Sequence, residues 1–345
     1  MPYSTTIFRH AEQIKSTMGS TQKPAVYIVD PYHEAAITKL KEQSSIDLVL
    51  PDDPRKEYFL DHASAVLVRS ETTIDAESIR RANPGLKYII KQGVGVDNID
   101  ILAAREKGIN VFNTPGLNGE AVAELTIALA MCVARRVCEF DRLIRNGEKV
   151  VRSQMLGKSL FGKTLGVVGM GNIGLEVAKK WRAAMGGPVV AYDPYSKEGA
   201  WCDEFADGFR RVDQLEAVLE AAEVLTLHVP LTKGTANMLS TREFELMPKG
   251  AILLNCARGG IVDEVALLQS LNAGHLYGAG LDAMQYEPPT LSAYGNTLLS
   301  HPRVIMTPHV GASTAENQER SGMAAVDIVI ALLDEDVANI PKALV

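Results

Sequence analysis

Residues 164–185 read TLGVVGMGNIGLEVAKKWRAAM and place Gly169, Gly171 and Gly174 in the spacing G-x-G-x-x-G. An apolar run typical of a strand precedes the first glycine, and a segment with helical spacing follows the third. The first glycine permits a tight turn, the second lets backbone N–H groups approach a pyrophosphate, and the third lets the helix pack close to the strand. The stretch therefore predicts a dinucleotide-binding βαβ unit.

An acidic residue at the end of the next strand narrows the choice of cofactor. Asp193 lies 19 residues after Gly174, where a carboxylate accepts hydrogen bonds from a ribose diol and repels a 2′-phosphate. We therefore predict NAD rather than NADP. A second glycine pair, in GVGVDN (93–98), also follows a strand but lacks the third glycine.

Strand and helix patterns alternate on both sides of this motif. The first half has strand-like runs at 25–29, 47–50, 65–69, 87–90 and 109–112, with helical spacing at 33–41, 75–82 and 100–107. The second half has strand-like runs at 164–169, 188–192, 224–230, 251–255, 278–282 and 304–308. This alternation predicts parallel sheets with helices on both faces, and a length of 345 residues predicts two such domains.

Two longer helices are also predicted. The segment 119–148 is apolar on more than one side, which favours burial on several faces. It is expected to join the domains or to pack against a second subunit, although an ordinary core helix would show the same pattern. The segment 313–336 opens with Ser313 and Glu316 in capping-box spacing and is expected to pack back elsewhere.

Composition excludes several classes of protein. A net charge of −7 argues against a nucleic-acid surface, and no apolar run reaches the ~18 residues needed to cross a bilayer. The four cysteines show neither a C-x-x-C pair nor zinc spacing, which favours free thiols in a reducing, cytoplasmic compartment and no metal. Residues 1–23 lack the apolar core of a secretory signal, so a loose extension is expected, with a transit peptide as the alternative.

Three ionisable residues follow predicted strands in the second half: Arg258, Glu287 and His309. Open α/β sheets bind ligands at this carboxyl edge. Reduction of a 2-keto acid needs a proton donor, which His309 supplies near neutral pH, and Glu287 would raise the imidazole pKa and fix its tautomer. Arg258 would pair with the substrate carboxylate and polarise the carbonyl. Each residue alone has an ordinary structural explanation, but their shared edge favours catalysis.

Five motifs, in order and spacing, resemble the D-isomer-specific 2-hydroxyacid dehydrogenases: GKTLGVVGMGNIG, HVPLTKGTANML, LLNCARGGIVDE, LDAMQYEPP and TPHVGAST. The resemblance runs from about residue 24 to 335. It implies that Arg258, Glu287 and His309 are catalytic and that the enzyme is a homodimer, with the helix over 120–145 as the dimer element. It also implies a Rossmann-type NAD domain, residues 118–312, inserted into a flavodoxin-like substrate domain, residues 1–117 and 313–345.

The resemblance further implies which residues contact each ligand. Asp282 would hold the nicotinamide carboxamide, and backbone N–H groups around Val94 and Gly95 would hold the substrate carboxylate. The expected cofactor contacts are Gly169, Gly171, Asn172, Ile173, Gly174, Asp193, Val229, Pro230, Cys256, Ala257, Asp282 and Gly311.

Two further cations bear on the substrate. Arg69 and Lys91 end predicted strands of the first domain. A substrate with a single carboxylate would not need these two cations for binding. The pattern resembles phosphoglycerate dehydrogenases and favours a dianion like 3-phosphoglycerate, with hydroxypyruvate or glyoxylate as the alternative. Lys91 is a point charge and cannot reproduce a bidentate guanidinium contact. Two solvated cations without a specific partner would also explain the pattern.

The chain departs from the family pattern at several places. The loop 288–302 is longer than usual, and Ala121 stands where relatives often have serine. No regulatory domain is expected after residue 335, and effector feedback is therefore not expected either. A formate-dehydrogenase-like enzyme is an alternative, but those proteins have glutamine where Glu287 stands. A nicotinamide-sensing corepressor-like scaffold is another, against which the acidic composition and the lack of a basic cluster argue.

Overall fold

The computed structural model describes residues 23–295, 297–336, 338 and 340–345, so the expected N-terminal extension lies almost wholly outside the described residues. The chain forms two compact units, residues 23–114 with 321–345 and residues 115–320. The junctions expected from the sequence were at 117/118 and 312/313. Arg320 donates to the carbonyl of Leu117 at 2.6 Å and Asn317 donates to that of Ala312 at 2.6 Å, which ties residues 315–320 to the second unit.

The first unit is a five-stranded parallel sheet with the strand order β2-β1-β3-β4-β5. The strands are β1 Ala25–Ile28, β2 Asp47–Val49, β3 Ala65–Val68, β4 Tyr88–Lys91 and β5 Asn110–Asn113. The helices are α1 Glu34–Lys41, α2 Phe59–His62, α3 Ala76–Arg81 and α4 Ile101–Lys107. All four residues of β3 are buried because one apolar cluster covers each face of the sheet. The order is that of flavodoxin-like folds.

The second unit contains two long helices, α5 Gly119–Ala134 and α6 Val137–Arg145, followed by a seven-stranded sheet. Its strands are β6 Leu165–Val168, β7 Val189–Tyr192, β8 Phe209–Val212, β9 Val224–Leu227, β10 Ile252–Asn255, β11 Gly278–Leu281 and β12 Val304–Met306. Its other helices are α7 Asn172–Met185, α8 Leu215–Ala221, α9 Thr241–Leu246, α10 Glu264–Asn272 and α11 Leu291–Tyr294. The last helix, α12 Ala315–Leu333, begins in this unit and ends in the first.

The seven strands are all parallel and run in the order β12-β11-β10-β9-β6-β7-β8. The strand order reverses between the neighbouring strands β6 and β9. Doubly wound sheets bind dinucleotides at such a switch point, beyond the carboxyl ends of the strands. The glycine motif follows β6 and therefore lies at that point. The predicted fold class, two doubly wound α/β domains with a Rossmann-type unit inserted, is confirmed.

Two local predictions were wrong, and one strand was not predicted. The expected single helix over 119–148 breaks at Arg136, whose φ of 56° is left-handed and whose guanidinium binds Glu139 at 2.7 Å. The strand β8 was missed because its charged sequence, FRRV, is typical of an edge and not of a core strand. Helix α12 is capped by Thr314, whose hydroxyl accepts from the Asn317 N–H at 3.1 Å, and not by Ser313.

None of the helices in the described part of the chain has the length and apolar character required to cross a membrane.

Candidate active site

The carboxyl edge of the seven-stranded sheet carries a chemically distinct residue after each of six neighbouring strands. His309 follows β12, Asp282 follows β11 and Arg258 follows β10. Val229, Gly169 and Asp193 follow β9, β6 and β7 in turn. The strand order therefore places Arg258, Asp282 and His309 towards one end of this edge and the glycine turn with Asp193 towards the other.

The turn after β6 is shaped by close backbone contacts. Gly169 has a φ of 101°, and a Cβ there would overlap the carbonyl of His228. A Cβ on Gly174 would overlap the carbonyl of Gly169, so helix and strand approach as the motif predicts. A Cβ on Gly171 meets nothing within 4 Å, which leaves open space at the N-terminus of α7. The 14-residue helix directs its dipole and unpaired N–H groups into that space.

Asp193 lies beside this turn. Its Oδ2 accepts the Met170 N–H at 2.9 Å and its Oδ1 accepts the Tyr195 N–H at 2.8 Å. Each oxygen therefore has one backbone donor and keeps a lone pair, since an ionised carboxylate has about four acceptor sites. The carboxylate is fixed in direction and can still accept from a diol.

The turn after β10 is held by Asn255, a residue that the sequence reasoning missed. Its side chain is buried, donating to the carbonyls of Arg258 at 2.9 Å and Ala283 at 3.1 Å and accepting the Ala257 N–H at 3.1 Å. The available signal was a polar residue closing an otherwise apolar strand. Asn255 fixes the backbone of Arg258, whose Nη1 donates to the Ala257 carbonyl at 2.7 Å. Cys256 is buried beside them, and burial raises the pKa of its thiol to about 12.

The loop after β12 is organised by the buried carboxylate of Asp282. Its Oδ1 accepts from the Thr307 hydroxyl at 2.6 Å and the Val310 N–H at 2.8 Å, and its Oδ2 accepts the Gly311 N–H at 2.8 Å. These contacts surround His309, which adopts a left-handed φ of 55°. An L-residue in that region is strained, and such strain is often found at functional sites.

Glu287 and His309 form a hydrogen-bonded pair, with 2.8 Å between Oε2 and Nδ1. This bond raises the pKa of His309 against the opposing effect of burial, and the charge of Asp282 adds to the rise while that of Arg258 opposes it. Burial acts to raise the pKa of Glu287, but its hydrogen bonds with His309 and the Met284 N–H, together with the positive charges of His309 and Arg258, hold it below the usual value. The pair leaves Nε2 of the imidazole to act on a ligand.

The remaining expected cofactor contacts all follow strands of this sheet. They are Asn172 and Ile173 in the first turn of α7, Val229 and Pro230 after β9, Cys256 and Ala257 after β10, and Gly311 after β12.

The expected substrate residues of the first unit lie at the carboxyl ends of β3 and β4. Lys91 is 4% exposed, and its ammonium donates to the Gln92 carbonyl at 3.0 Å and to Ser70 Oγ at 3.4 Å. Arg69 donates to the Pro31 carbonyl at 2.9 Å and lies 3.6 Å from Glu71. Val94 is exposed, and its carbonyl accepts from Asn113 at 2.8 Å; Gly95 follows it in the same loop. Lys91 is thus a buried cation with polar partners, which differs from a solvated rim charge.

Comparison with known proteins identifies the family of this chain. Residues 127–311 match the model of the D-isomer specific 2-hydroxyacid dehydrogenase, NAD binding domain. The chain is 38% identical to a hydroxypyruvate reductase of Thermotoga maritima over 88% of this chain and 96% of that protein. It is 40% identical to a D-3-phosphoglycerate dehydrogenase of Archaeoglobus fulgidus over 92% of this chain, but it spans only 58% of that relative's length.

Solved structures agree with the fold. A Thermus thermophilus protein, 37% identical, superposes with a TM-score of 0.80 and covers 93% of this chain and 100% of its own. A glyoxylate reductase from Paecilomyes thermophila, 28% identical, superposes with a TM-score of 0.79 over 94% of this chain and 99% of its own.

Proposed function

Because the chain belongs to the D-isomer specific 2-hydroxyacid dehydrogenase family, we propose that it interconverts a D-2-hydroxy acid and its 2-keto acid with NAD. The observation that carries the proposal is the 2.8 Å contact between Glu287 and His309, with Arg258 close enough to shift both pKa values. An imidazole, a carboxylate and a guanidinium beside a nucleotide-type turn are the groups that carbonyl reduction requires.

The residues of the second unit fit the cofactor. The open space at Gly171 and the N-terminus of α7 suit a pyrophosphate, and Asp193 retains acceptor capacity for a ribose diol. Asp282 lies at the catalytic end of the edge, where it would meet the nicotinamide carboxamide. Bound NADH supplies the hydride, and the protein supplies position, charge and the proton.

In the direction of reduction, His309 acts as the acid. Its raised pKa keeps a larger share of the imidazole protonated near neutral pH, so Nε2 can deliver a proton to the carbonyl oxygen. Glu287 accepts from Nδ1 and holds the ring with Nε2 directed to the substrate. Arg258 binds the carboxylate next to the carbonyl and stabilises the negative charge that develops on the oxygen. In the reverse direction, neutral His309 removes the hydroxyl proton.

For the substrate, we propose a second anionic group such as the phosphate of 3-phosphoglycerate. The support is the pair Arg69 and Lys91, which end adjacent strands, with Val68 opposite Lys91 in the register. Lys91 is buried at this position, and its ammonium donates to the Ser70 hydroxyl and the Gln92 carbonyl. Val94 and Gly95 would offer backbone N–H groups to the carboxylate.

Hydroxypyruvate is the second candidate substrate, and glyoxylate the third. The support for hydroxypyruvate is the 38% identity to a hydroxypyruvate reductase over 88% of this chain.

A panel of 2-keto acids assayed with NADH tests the proposal. We expect oxidation of NADH with at least one of 3-phosphohydroxypyruvate, hydroxypyruvate and glyoxylate. NADH binding without turnover of any of them would favour the corepressor-like scaffold and overturn the enzymatic proposal.

We also propose a homodimer that works in the cytoplasm. Large apolar side chains are exposed on α6 and the segment after it, among them Ile144 at 65%, Leu156 at 72% and Phe161 at 80%. We infer that these side chains contribute to the dimer interface, because homodimer interfaces are rich in apolar residues. All four cysteines are free thiols, as is usual for proteins in a reducing compartment.

A further inference from the structure

We propose that Glu264 and Tyr294 are positioning residues, which hold the turn of residues 284–287 and thereby keep Glu287 aligned on His309. The inference rests on the proposed function, because it assigns a task to two residues outside the reacting set. Neither residue is among the expected catalytic, cofactor or substrate contacts.

Three successive backbone N–H groups of this turn are each bound by a side chain. The Met284 N–H donates to Glu287 Oε1 at 3.0 Å. The Gln285 N–H donates to Glu264 Oε1 at 2.7 Å, and the Tyr286 N–H donates to the Tyr294 hydroxyl oxygen at 3.0 Å. The catalytic carboxylate therefore supplies one of the three contacts that shape its own turn, and Glu264 and Tyr294 supply the other two.

Glu264 and Tyr294 also interact with each other. Their side-chain interaction lowers the pKa of Glu264 and raises that of Tyr294, whose hydroxyl oxygen accepts from the Tyr286 N–H. Burial raises the pKa of Tyr294 to about 12, so the hydroxyl keeps its proton at neutral pH. The Tyr294 ring is buried and meets the Tyr286 ring edge-on at 5.8 Å between centroids. The turn is thus held by the first residue of α10 on one side and by a buried tyrosine on the other.

The turn is packed tightly against the neighbouring catalytic residue as well. A Cβ added to Gly259, which follows Arg258, would overlap the carbonyl of Met284. A shift of the turn is therefore transmitted to both Arg258 and Glu287. A small displacement of reacting groups is sufficient to slow catalysis strongly.

The charges around the pair agree with a positioning task. The charges that shift the pKa of His309 are those of Glu287, Asp282 and Arg258. Burial raises the pKa of Glu264, its interactions with the Gln285 N–H and the Tyr294 side chain lower it, and the charge of Glu287 raises it. Glu264 consequently acts on His309 through the position of Glu287 and not by direct attraction.

Four variants of the full chain separate hydrogen bonding from charge. Tyr294→Phe removes the hydroxyl and keeps the buried ring. Glu264→Ala removes the acceptor for the Gln285 N–H, whereas Glu264→Gln removes the charge and keeps an acceptor oxygen. The matched control is Tyr286→Phe, which deletes a neighbouring exposed hydroxyl that takes no part in these bonds.

The readouts are the pKa of His309, followed by its NMR signal against pH, the kcat for the best 2-keto acid, and the Kd of NADH. We expect Tyr294→Phe and Glu264→Ala to lower the His309 pKa by about one unit. Their kcat should fall roughly 10–100-fold with the Kd of NADH unchanged. Glu264→Gln and the control should stay close to the wild type.

Wild-type His309 pKa values in both Tyr294→Phe and Glu264→Ala would overturn the inference. So would a loss in Glu264→Gln as large as that in Glu264→Ala, since charge would then be the cause. Loss of NADH binding in parallel with kcat would indicate a merely structural role and also overturn it. The NMR titration needs no turnover, so an inactive wild-type protein would defeat the proposed function alone.

Discussion

Asp282 binds residues on both sides of His309, because its carboxylate accepts from the Thr307 hydroxyl and from the N–H groups of Val310 and Gly311. The loop that carries the imidazole is therefore held by the buried carboxylate of Asp282, which follows the neighbouring strand β11. The same anion is expected to meet the cofactor, so one residue couples the two halves of the site.

Asp282→Asn should loosen this loop. An amide replaces one acceptor oxygen with a donor, which leaves at least one buried N–H unsatisfied and lowers the free energy of unfolding by about 1–3 kcal/mol. The kcat should fall with it, as measured by thermal unfolding and steady-state assays. Thr307→Val is the matched control, because it removes a single hydroxyl and keeps both backbone bonds. Equal stability of Asp282→Asn and the wild type would contradict the assigned role.

His309→Asn should lower kcat by roughly 10²–10⁴-fold while NADH still binds, because the proton donor is lost. Stopped-flow turnover and NADH fluorescence measure the two effects separately. Wild-type kcat in this variant would remove His309 from the mechanism.

Glu287→Gln should move the pH profile to lower pH. Reduction needs protonated His309, so its rate is full at low pH and is lost as the pH rises through the imidazole pKa. Oxidation needs neutral His309, so its rate is lost as the pH falls through the same pKa. Glu287 raises that pKa, and removing its charge should shift both limbs downward. Unchanged limbs in kcat/KM profiles would exclude Glu287 as the partner.

Asp193 should make NADH strongly preferred over NADPH, through repulsion of a 2′-phosphate and hydrogen bonds to the diol. Asp193→Ala should reduce the preference for NADH over NADPH, mainly because NADH would bind more weakly. The measurement is kcat/KM for each of the two cofactors. Equal kcat/KM values in the wild type would show that the carboxylate does not select the cofactor.

Arg69→Ala tests the second anionic group. The KM for 3-phosphohydroxypyruvate should rise far more than that for glyoxylate, because only the former carries a phosphate for Arg69 to bind. Equal effects on the two substrates, or no activity on the phosphorylated one, would defeat the dianion proposal and favour hydroxypyruvate.

The double variant Leu156→Ser/Phe161→Ser should shift a dimer towards a monomer of 37.3 kDa in light scattering. Both side chains are large, apolar and exposed in the second unit. Leu102→Ser is the control, since Leu102 is 68% exposed in the first unit. A wild-type protein that is monomeric at micromolar concentration would contradict the proposed homodimer.

Much of the fold could be predicted because its signals are local. A glycine motif after an apolar run indicates a switch point, and Arg258, Glu287 and His309 could be placed because strands that are parallel end at one edge. The helix break at Arg136 could not, since a left-handed arginine depends on its contact with Glu139. The contact that holds the turn before Glu287 could not be predicted either, because Gln285 and Glu264 are 21 residues apart in sequence.

The left-handed backbone at His309 also restricts which substitutions a selection experiment can recover. Outside glycine, that conformation is tolerated best by asparagine, aspartate and histidine, and β-branched residues are strained in it. Many variants in a saturation library at position 309 would therefore be lost because the residue does not fit the backbone, whatever its chemistry. Among the residues that pass, histidine alone has a side-chain pKa near neutrality. Directed evolution towards an acid other than histidine or aspartate at this position would first have to change the backbone of the loop.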